Sequence, residues 1–113
     1  MNNLKNKVQL IGNLGNAPEV KAVNGGTKLA RMSLATNETY RNAKGEKVTE
    51  TQWHTVVAWG KTAEFVEKYF TKGIEVMVEG KLVSRSYNDK DGNKKYITEV
   101  EANDVLILSR KEK

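Results

Sequence analysis

The sequence predicts an all-β fold, a barrel of five strands with one short helix between the third and fourth strands. Long stretches rich in Val, Ile, Thr and aromatic residues alternate in character from one position to the next, as β-strands do. Clusters of Gly, Asn and Asp separate these stretches and predict turns. Only residues 62–72 repeat apolar positions with the 3.6-residue period of a helix.

In chain order, the predicted elements are a strand over 4–14, a turn over 15–18, extended chain over 19–23, a hairpin turn at 24–26, a strand over 27–40, a polar loop over 41–47, a strand over 48–60, the helix, a strand over 74–87, a turn over 88–93 and a strand over 94–108. The first strand has Val8, Leu10 and Gly12 on one face. Asn-Gly-Gly at residues 24–26 is a strong hairpin signal. The second strand then alternates in the same way.

The third strand, VTETQWHTVVAWG, is rich in β-branched and aromatic residues and contains no proline. One face carries both tryptophans of the chain, Trp53 and Trp59, and the other carries His54, Val56 and Ala58. The tryptophan face could be the core side, because large aromatic residues are often buried. Val56 and Ala58 are small enough for the interior of a curved sheet, so the tryptophan face is free to form an outer platform.

The predicted helix has one apolar stripe, formed by Phe65, Val66, Tyr69 and Phe70. We expect Phe65, Tyr69 and Phe70 to lie in the core. Gly73 supplies a stop signal after the helix.

The fourth strand places Ile74, Val76 and Val78 on one face, and Gly80 predicts a bulge or a sharp bend. The fifth strand alternates again after the NDKDGN turn at residues 88–93. Long, bent strands with a single helix between the third and fourth fit a five-stranded barrel of the OB (oligonucleotide/oligosaccharide-binding) type, whose helix covers one open end. A β-sandwich would have about seven shorter strands and no helix at this point.

The length of 113 residues predicts one domain over residues 1–108, followed by a short charged tail over residues 109–113. The absence of cysteine excludes disulfides, thiolate metal sites and a cysteine nucleophile. No signal peptide or membrane-spanning apolar run is evident, so we expect a cytoplasmic protein. Nineteen Lys and Arg against 14 Asp and Glu give a formal net charge of +5, which favours polyanionic partners.

Motifs for catalysis or nucleotide binding are incomplete. Residues 60–62, Gly-Lys-Thr, match the end of a P-loop, but that motif needs a glycine where Thr55 stands. Residues 12–15 have the GxxG spacing of KH domains without the flanking helices. His54 is the only histidine and has neither cysteine nor a second histidine to complete a metal site. We therefore predict no enzyme activity, no metal and no cofactor.

Aromatic and basic residues recur together near the strand ends. Tyr40 precedes a basic loop, Trp53 and Trp59 share a face, and Tyr87 follows Arg85. In a five-stranded barrel these positions can converge on one concave side. Aromatic rings stack unpaired bases with roughly 1–3 kcal/mol per base, while Lys and Arg contact phosphates. Duplex DNA hides its base faces, and no recognition-helix motif for its grooves is present.

Four segments carry a family resemblance: NKVQLIGNLGNAPEV at 6–20, LATNETYRN at 34–42, TQWHTVVAWGKTAE at 51–64 and KGIEVMVEGKL at 72–82. With them, the chain resembles the bacterial single-stranded DNA-binding protein family from about residue 6 to residue 105. The resemblance implies an OB fold, a homotetramer, and sequence-independent binding and protection of single-stranded DNA in replication, recombination and repair.

The resemblance also implies roles for individual residues. The positions that match base-stacking and phosphate-binding residues of the family are Tyr40, Trp53, Trp59 and Tyr87 for stacking, and Lys21, Lys61, Lys72 and Arg85 for phosphates. His54 matches a histidine at the family's subunit interface. Tyr40 and Tyr87 stand where tryptophan is frequent and Trp59 where phenylalanine is, so a ring is kept at each position. Thr55 replaces a residue that is often basic, which removes one phosphate contact.

The family's long tail with an acidic, proline-containing tip has no counterpart in residues 109–113, so partner recruitment through such a tip is not expected. An alternative from another class is an OB-fold protein-interaction module, such as a primosome accessory subunit, with secondary DNA binding. The full set of four aromatic positions favours single-stranded DNA binding. The expected location is the bacterial cytoplasm, in association with the nucleoid.

Overall fold

The computed structural model describes residues 4–23 and 25–109. In chain order the elements are a short 3₁₀ turn (Leu4–Asn6), β1 (Val8–Leu14), β2 (Glu19–Val23), β3 (Thr27–Arg41), β4 (Lys47–Trp59), α1 (Gly60–Tyr69), β5 (Glu75–Asn88) and β6 (Lys94–Ser109). Asn24 of the predicted hairpin turn and residues 110–113 of the predicted tail lie outside the described residues.

The strands close into a barrel. β1 pairs with β5, β5 with β6, β4 with β3, and β3 with both β1 and β2, all antiparallel, while β4 and β6 pair in parallel. Because β1 and β2 both lie along β3, on either side of the turn at 15–18, they are two halves of one interrupted strand. The predicted five-stranded OB barrel is thereby confirmed, with the helix between the third and fourth barrel strands.

The inward faces of the strands form one apolar core. Its buried side chains come from five strands, the helix and the segment that joins the helix to β5: Leu14, Ala30, Met32, Leu34, Val56, Ala58, Ala63, Val66, Phe70, Ile74, Val76, Val78, Val100 and Ala102. The predicted irregularity at Gly80 is confirmed, since the register of β5 against β6 shifts between Glu79 and Gly80. A side chain at Gly80 would collide with the backbone of Glu101, so only glycine lets β6 approach this closely.

Helix α1 packs on the barrel through Ala63 and Val66, and Phe70, which directly follows the helix, is buried beside them. Phe65 and Tyr69 are 39% and 42% exposed, so the expectation that they lie in the core is wrong. The small Ala63 sets the contact side of the helix, and this rotates Phe65 and Tyr69 to its flank. The two rings pack against each other there, with centroids 4.9 Å apart.

An ion pair between Lys28 of β3 and Glu67 joins the helix to the barrel, with Nζ and Oε1 2.5 Å apart. The hydrogen bond and the charge of Glu67 raise the pKa of Lys28. Over residues 4–23 and 25–109, no helix has the length and apolar character needed to cross a membrane.

Candidate nucleic-acid interface

The outward face of β4 carries both tryptophans. Trp53 is 62% exposed and Trp59 is 37% exposed, whereas Val56 and Ala58, which alternate with them, are fully buried. A strand whose inward positions hold small residues fits the tight interior of the barrel and leaves its large side chains outside. The predicted orientation of this strand is therefore confirmed.

Neighbouring strands extend this outward face on both sides. On β3, Ala35 is paired with Trp53 and Leu29 with Trp59. On the other side, the parallel pairing of β4 with β6 and the pairing of β6 with β5 continue the same face to Tyr87. We call this surface the aromatic platform; its central residues are Arg31, Trp53, Val57, Trp59, Arg85, Tyr87 and Glu99.

The indole ring of Trp53 lies over the turn between β1 and β2. A Cβ atom placed on Gly15 would be 2.5 Å from Cζ3 of Trp53 and 2.8 Å from its Cη2. Real Cβ atoms do not approach this closely, so the ring occupies space that is free only because residue 15 is glycine. The backbone of Gly15 is fixed by its amide, which donates to the Ser33 carbonyl at 2.9 Å.

The two predicted stacking tyrosines, Tyr40 and Tyr87, differ in whether they face the platform. Tyr87 is exposed and follows the alternation of β5 that includes Arg85, so it belongs to the platform. Tyr40 is also exposed, but β3 and β4 pair without a register shift, so it shares the face of His54 and not that of Trp53. The structure therefore brings Trp53, Trp59 and Tyr87 onto one face and sets Tyr40 on the reverse of the β3–β4 hairpin.

Three of the predicted basic residues lie near the two tryptophans of the platform. Lys21 of β2 is paired with Leu29, which is itself paired with Trp59. Lys61 lies in the first turn of α1, immediately after that tryptophan. Lys72 precedes Gly73, whose amide donates to the carbonyl of Leu14 at 3.0 Å, next to the turn beneath Trp53.

Lys21, Lys61 and Lys72 are exposed, and within the described residues no carboxylate lies within ion-pair distance of them. Their ammonium groups are open to an anion. Flat exposed rings bordered by unpaired cations suit a ligand that is planar and apolar in its bases and anionic in its backbone.

Arg85 is held differently, because it is bonded to a buried carboxylate. Its Nε donates to Oε1 of Glu99 at 3.1 Å, and its Nη2 donates to the same oxygen. Arg31, from β3, brings Nη2 to 3.2 Å from Oε2 of Glu99. Glu99 thus lies between two guanidinium groups in the middle of the platform.

Sequence reasoning missed Arg31 and Glu99 as members of the site. The strands that carry them were predicted from alternation, but nothing local in the sequence marks these two residues as partners. The one feature that could have pointed to Glu99 is that a carboxylate stands on the outward face of the last strand, next to the apolar Val100, which is buried.

His54 is half-buried on the face opposite Trp53, and its Nε2 lies 3.0 Å from Oγ1 of Thr36. In the described part of the chain, no three His, Asp or Glu side chains are grouped so as to hold a metal ion.

Comparison with protein-family models matches residues 5–108 to the single-strand binding protein family. Two relatives named single-stranded DNA-binding protein 1, from Chlorobaculum tepidum and Xylella fastidiosa, are each 43% identical over 108 residues. The matched region is 95% of this chain, 67% of the Chlorobaculum protein and 79% of the Xylella protein.

Solved structures with the same fold include a Plasmodium falciparum SSB in complex with single-stranded DNA. The TM-score is 0.85 at 36% identity, covering 92% of this chain and 95% of the other. A deletion mutant of the single-stranded DNA-binding protein from Thermus aquaticus gives a TM-score of 0.80 at 31% identity, covering 92% and 50% of the two chains.

Proposed function

The chain belongs to the single-strand binding protein family, and we propose that it binds single-stranded DNA without sequence preference. Unpaired bases stack on exposed aromatic rings, and lysines and arginines contact the phosphates between them. Because every base has a π-face, this mode of binding tolerates any sequence. The protein acts in replication, recombination and repair as a binding protein, not as an enzyme.

The proposed contacts divide by chemistry. The stacking residues are Tyr40, Trp53, Trp59 and Tyr87, and the phosphate-binding residues are Lys21, Lys61, Lys72 and Arg85. A strand that contacts all four rings crosses the platform and passes around the β3–β4 hairpin to reach Tyr40. This path is supported by the exposure of each ring and by the open lysines, two near Trp59 and one beside the turn under Trp53.

The observation that carries the proposal is the exposure of Trp53 and Trp59 on the outward side of a strand whose inward side forms the core. They are the only tryptophans in the chain, so their fluorescence reports directly on the platform. Oligo(dT) should quench this fluorescence strongly. Duplex DNA of equal length should compete poorly, because its base faces are already stacked. Equal affinity for duplex and single strand would contradict the proposal.

The salt dependence of binding tests the proposed phosphate contacts. The logarithm of the oligo(dT) affinity should fall linearly with the logarithm of salt concentration, with a slope of about −0.7 for each phosphate contact. An OB-fold module whose main task is protein contact would bind oligo(dT) far more weakly and with a shallower slope.

We further propose that the protein assembles as a homotetramer. Away from the platform, the outward faces of β1, β5 and β6 carry an apolar row of Ile11, Met77 and Leu106, aligned by strand pairing. Ile11 and Leu106 are exposed in the single chain. Exposed apolar rows of this kind favour contact with a second copy. His54, with its hydrogen bond to Thr36, is proposed to lie at a subunit interface.

A further inference from the structure

Glu99 is the one charged side chain that is buried in residues 4–23 and 25–109, although it lies on the outward face of β6. It is 1% exposed because the arginines cover it. Arg85 approaches from the adjacent strand β5, and Arg31 reaches over β4 from β3. Together the three side chains form a bridge above the buried Val57, between the tryptophans and Tyr87.

The bridge carries two positive charges and one negative charge, so its net charge is +1. The carboxylate engages only some of the five N–H donors that each guanidinium presents in a planar fork. Both arginine side chains are partly exposed to solvent. Among residues 4–23 and 25–109, Oε2 of Glu99 finds no hydrogen-bond partner, although it lies near Arg31. The carboxylate therefore holds the two guanidinium groups although only one of its own two oxygens accepts hydrogen bonds.

We propose that Glu99 is a built-in counter-ion that occupies Arg31 and Arg85 until a DNA phosphate competes for the same donors. This inference rests on the proposed binding of single-stranded DNA. Carboxylate and phosphate oxygens both accept hydrogen bonds from the guanidinium fork, so they are direct competitors. Glu99 thereby limits the centre of the platform to one net charge and keeps both arginines in place before DNA arrives.

The decisive variant is Glu99→Gln, which keeps the shape of the side chain and an oxygen acceptor while removing the charge. The bridge then has a net charge of +2. We expect the slope of log affinity against log salt to steepen by about 0.7, the value of one additional phosphate contact on a single strand. If the two proteins bind oligo(dT) equally at about 1 M salt, the variant should therefore bind roughly five- to tenfold more tightly than the unmodified protein at about 50 mM salt.

Glu101→Gln is the matched control. Glu101 lies on the same face of β6, two residues further along, and its partner is Lys81 at 3.8 Å. The control removes the same charge without releasing an arginine from the bridge. We expect its slope to change by less than half as much as in Glu99→Gln. Equal changes in the two variants would overturn the inference, because they would reflect net charge alone.

A second pair of variants tests the same point through Arg31, and its single variant keeps Glu99, so it remains informative if Glu99→Gln fails to fold. Arg31→Gln lowers the net charge of the bridge to zero, and Arg31→Gln combined with Glu99→Gln restores it to +1. The salt slope should be shallower than that of the unmodified protein by about 0.7 in the single variant and should return to the original value in the double variant. Identical slopes in these two variants would contradict the role of Glu99.

These outcomes separate the inference from the proposed function. If the unmodified protein does not bind oligo(dT) and its fluorescence is not quenched, the proposed function fails. If it binds and is quenched, but Glu99→Gln leaves the slope unchanged or weakens binding, only the role of Glu99 as a counter-ion fails. Thermal unfolding of each variant shows whether a change in affinity accompanies a change in stability.

Discussion

At the scale of single residues, the exposure of Trp53 follows from what the barrel needs on the other side of β4. Val56 and Ala58 fill the interior, and alternation then turns the indole rings toward solvent. Because Trp53 contributes little buried area, its removal should affect binding more than folding.

Trp53→Ala should therefore weaken oligo(dT) binding by about 1–3 kcal/mol, the contribution of one stacked base. The thermal unfolding midpoint should change little. Trp53→Phe is the control, since it keeps a ring and should retain most of the affinity. Titration with a labelled oligo(dT), followed by anisotropy, measures both variants. An alanine variant that unfolds, or that binds normally, would show that the ring is structural or uninvolved.

Gly15 offers a way to move that ring without changing it. The Cβ atom in Gly15→Ala would meet the Trp53 ring at 2.5 Å, so the indole must swing away from its position over the turn. We expect weaker oligo(dT) binding and a nearly unchanged unfolding midpoint, because the ring is exposed and can move. Asn16→Ala, at the next exposed position, should have no effect on binding.

A double-mutant cycle makes this prediction specific to the ring. In a Trp53→Ala background, Gly15→Ala should no longer reduce affinity, because the side chain it displaces is absent. A further loss in that background would mean that Gly15 acts through the turn itself.

The residues of the platform differ in how far the sequence alone could predict their positions. Trp53 and Trp59 could be placed on the platform from the alternation of one strand, which is local information. Glu99 could not, because its burial depends on Arg31, which comes from a distant part of the chain and reaches it only after the barrel has closed. A strand position that looks solvated in the sequence becomes the most buried charge in the described structure.

At the scale of elements, the strands were predictable because their turns are marked by Gly, Asn and Asp. The helix was placed correctly between β4 and β5, but it begins at Gly60 and ends at Tyr69, where residues 62–72 were expected. The side of the helix that contacts the barrel also differs from the expected one. A stripe of four apolar residues is compatible with several rotations of the helix about its axis. Packing against the barrel selected the side with the small Ala63, and no periodicity in the helix alone reveals that choice.

The two hairpins present their tyrosines differently, and this predicts a dependence on DNA length. A short oligo(dT), near the lower end of the roughly 4–16 nucleotides that one OB fold binds, can lie on the platform without reaching Tyr40. Tyr87→Ala should weaken binding of both short and long oligonucleotides, because Tyr87 shares the platform with the tryptophans. Tyr40→Ala should weaken binding of long ones only.

Affinity measurements over a series of oligonucleotide lengths check this expectation. Tyr96→Ala serves as a control for the loss of an exposed ring, since Tyr96 lies on the reverse face of the β5–β6 hairpin, opposite Tyr87. If Tyr40→Ala weakens the binding of short oligonucleotides as strongly as Tyr87→Ala does, the DNA takes a different path from the one proposed.

At the scale of the whole molecule, the apolar row on β1, β5 and β6 predicts how assembly responds to charge. Leu106→Lys places an ammonium group in that row, next to Met77. Burying an unpaired charge at an interface is costly, so the variant should shift the protein toward smaller assemblies. A charged replacement of His54 should act in the same direction.

Light scattering at micromolar concentration measures the effect. The unmodified protein should have a mass close to four times the 12.7 kDa of one chain. Tyr96→Lys introduces the same charge at an exposed ring outside the row and should leave the mass unchanged. A monomeric mass for the unmodified protein would refute the assembly.

The closure of the barrel also sets when the chain can reach this fold. β1 pairs with β5, and the seam between β4 and β6 forms only when residues as late as Val100 and Glu101 are available. Pairings between segments so far apart in sequence require large loops to close first, which places such barrels among the slower small folds, on the order of milliseconds to seconds. On the ribosome, the platform with its two tryptophans therefore has no stable support until the last strand has emerged.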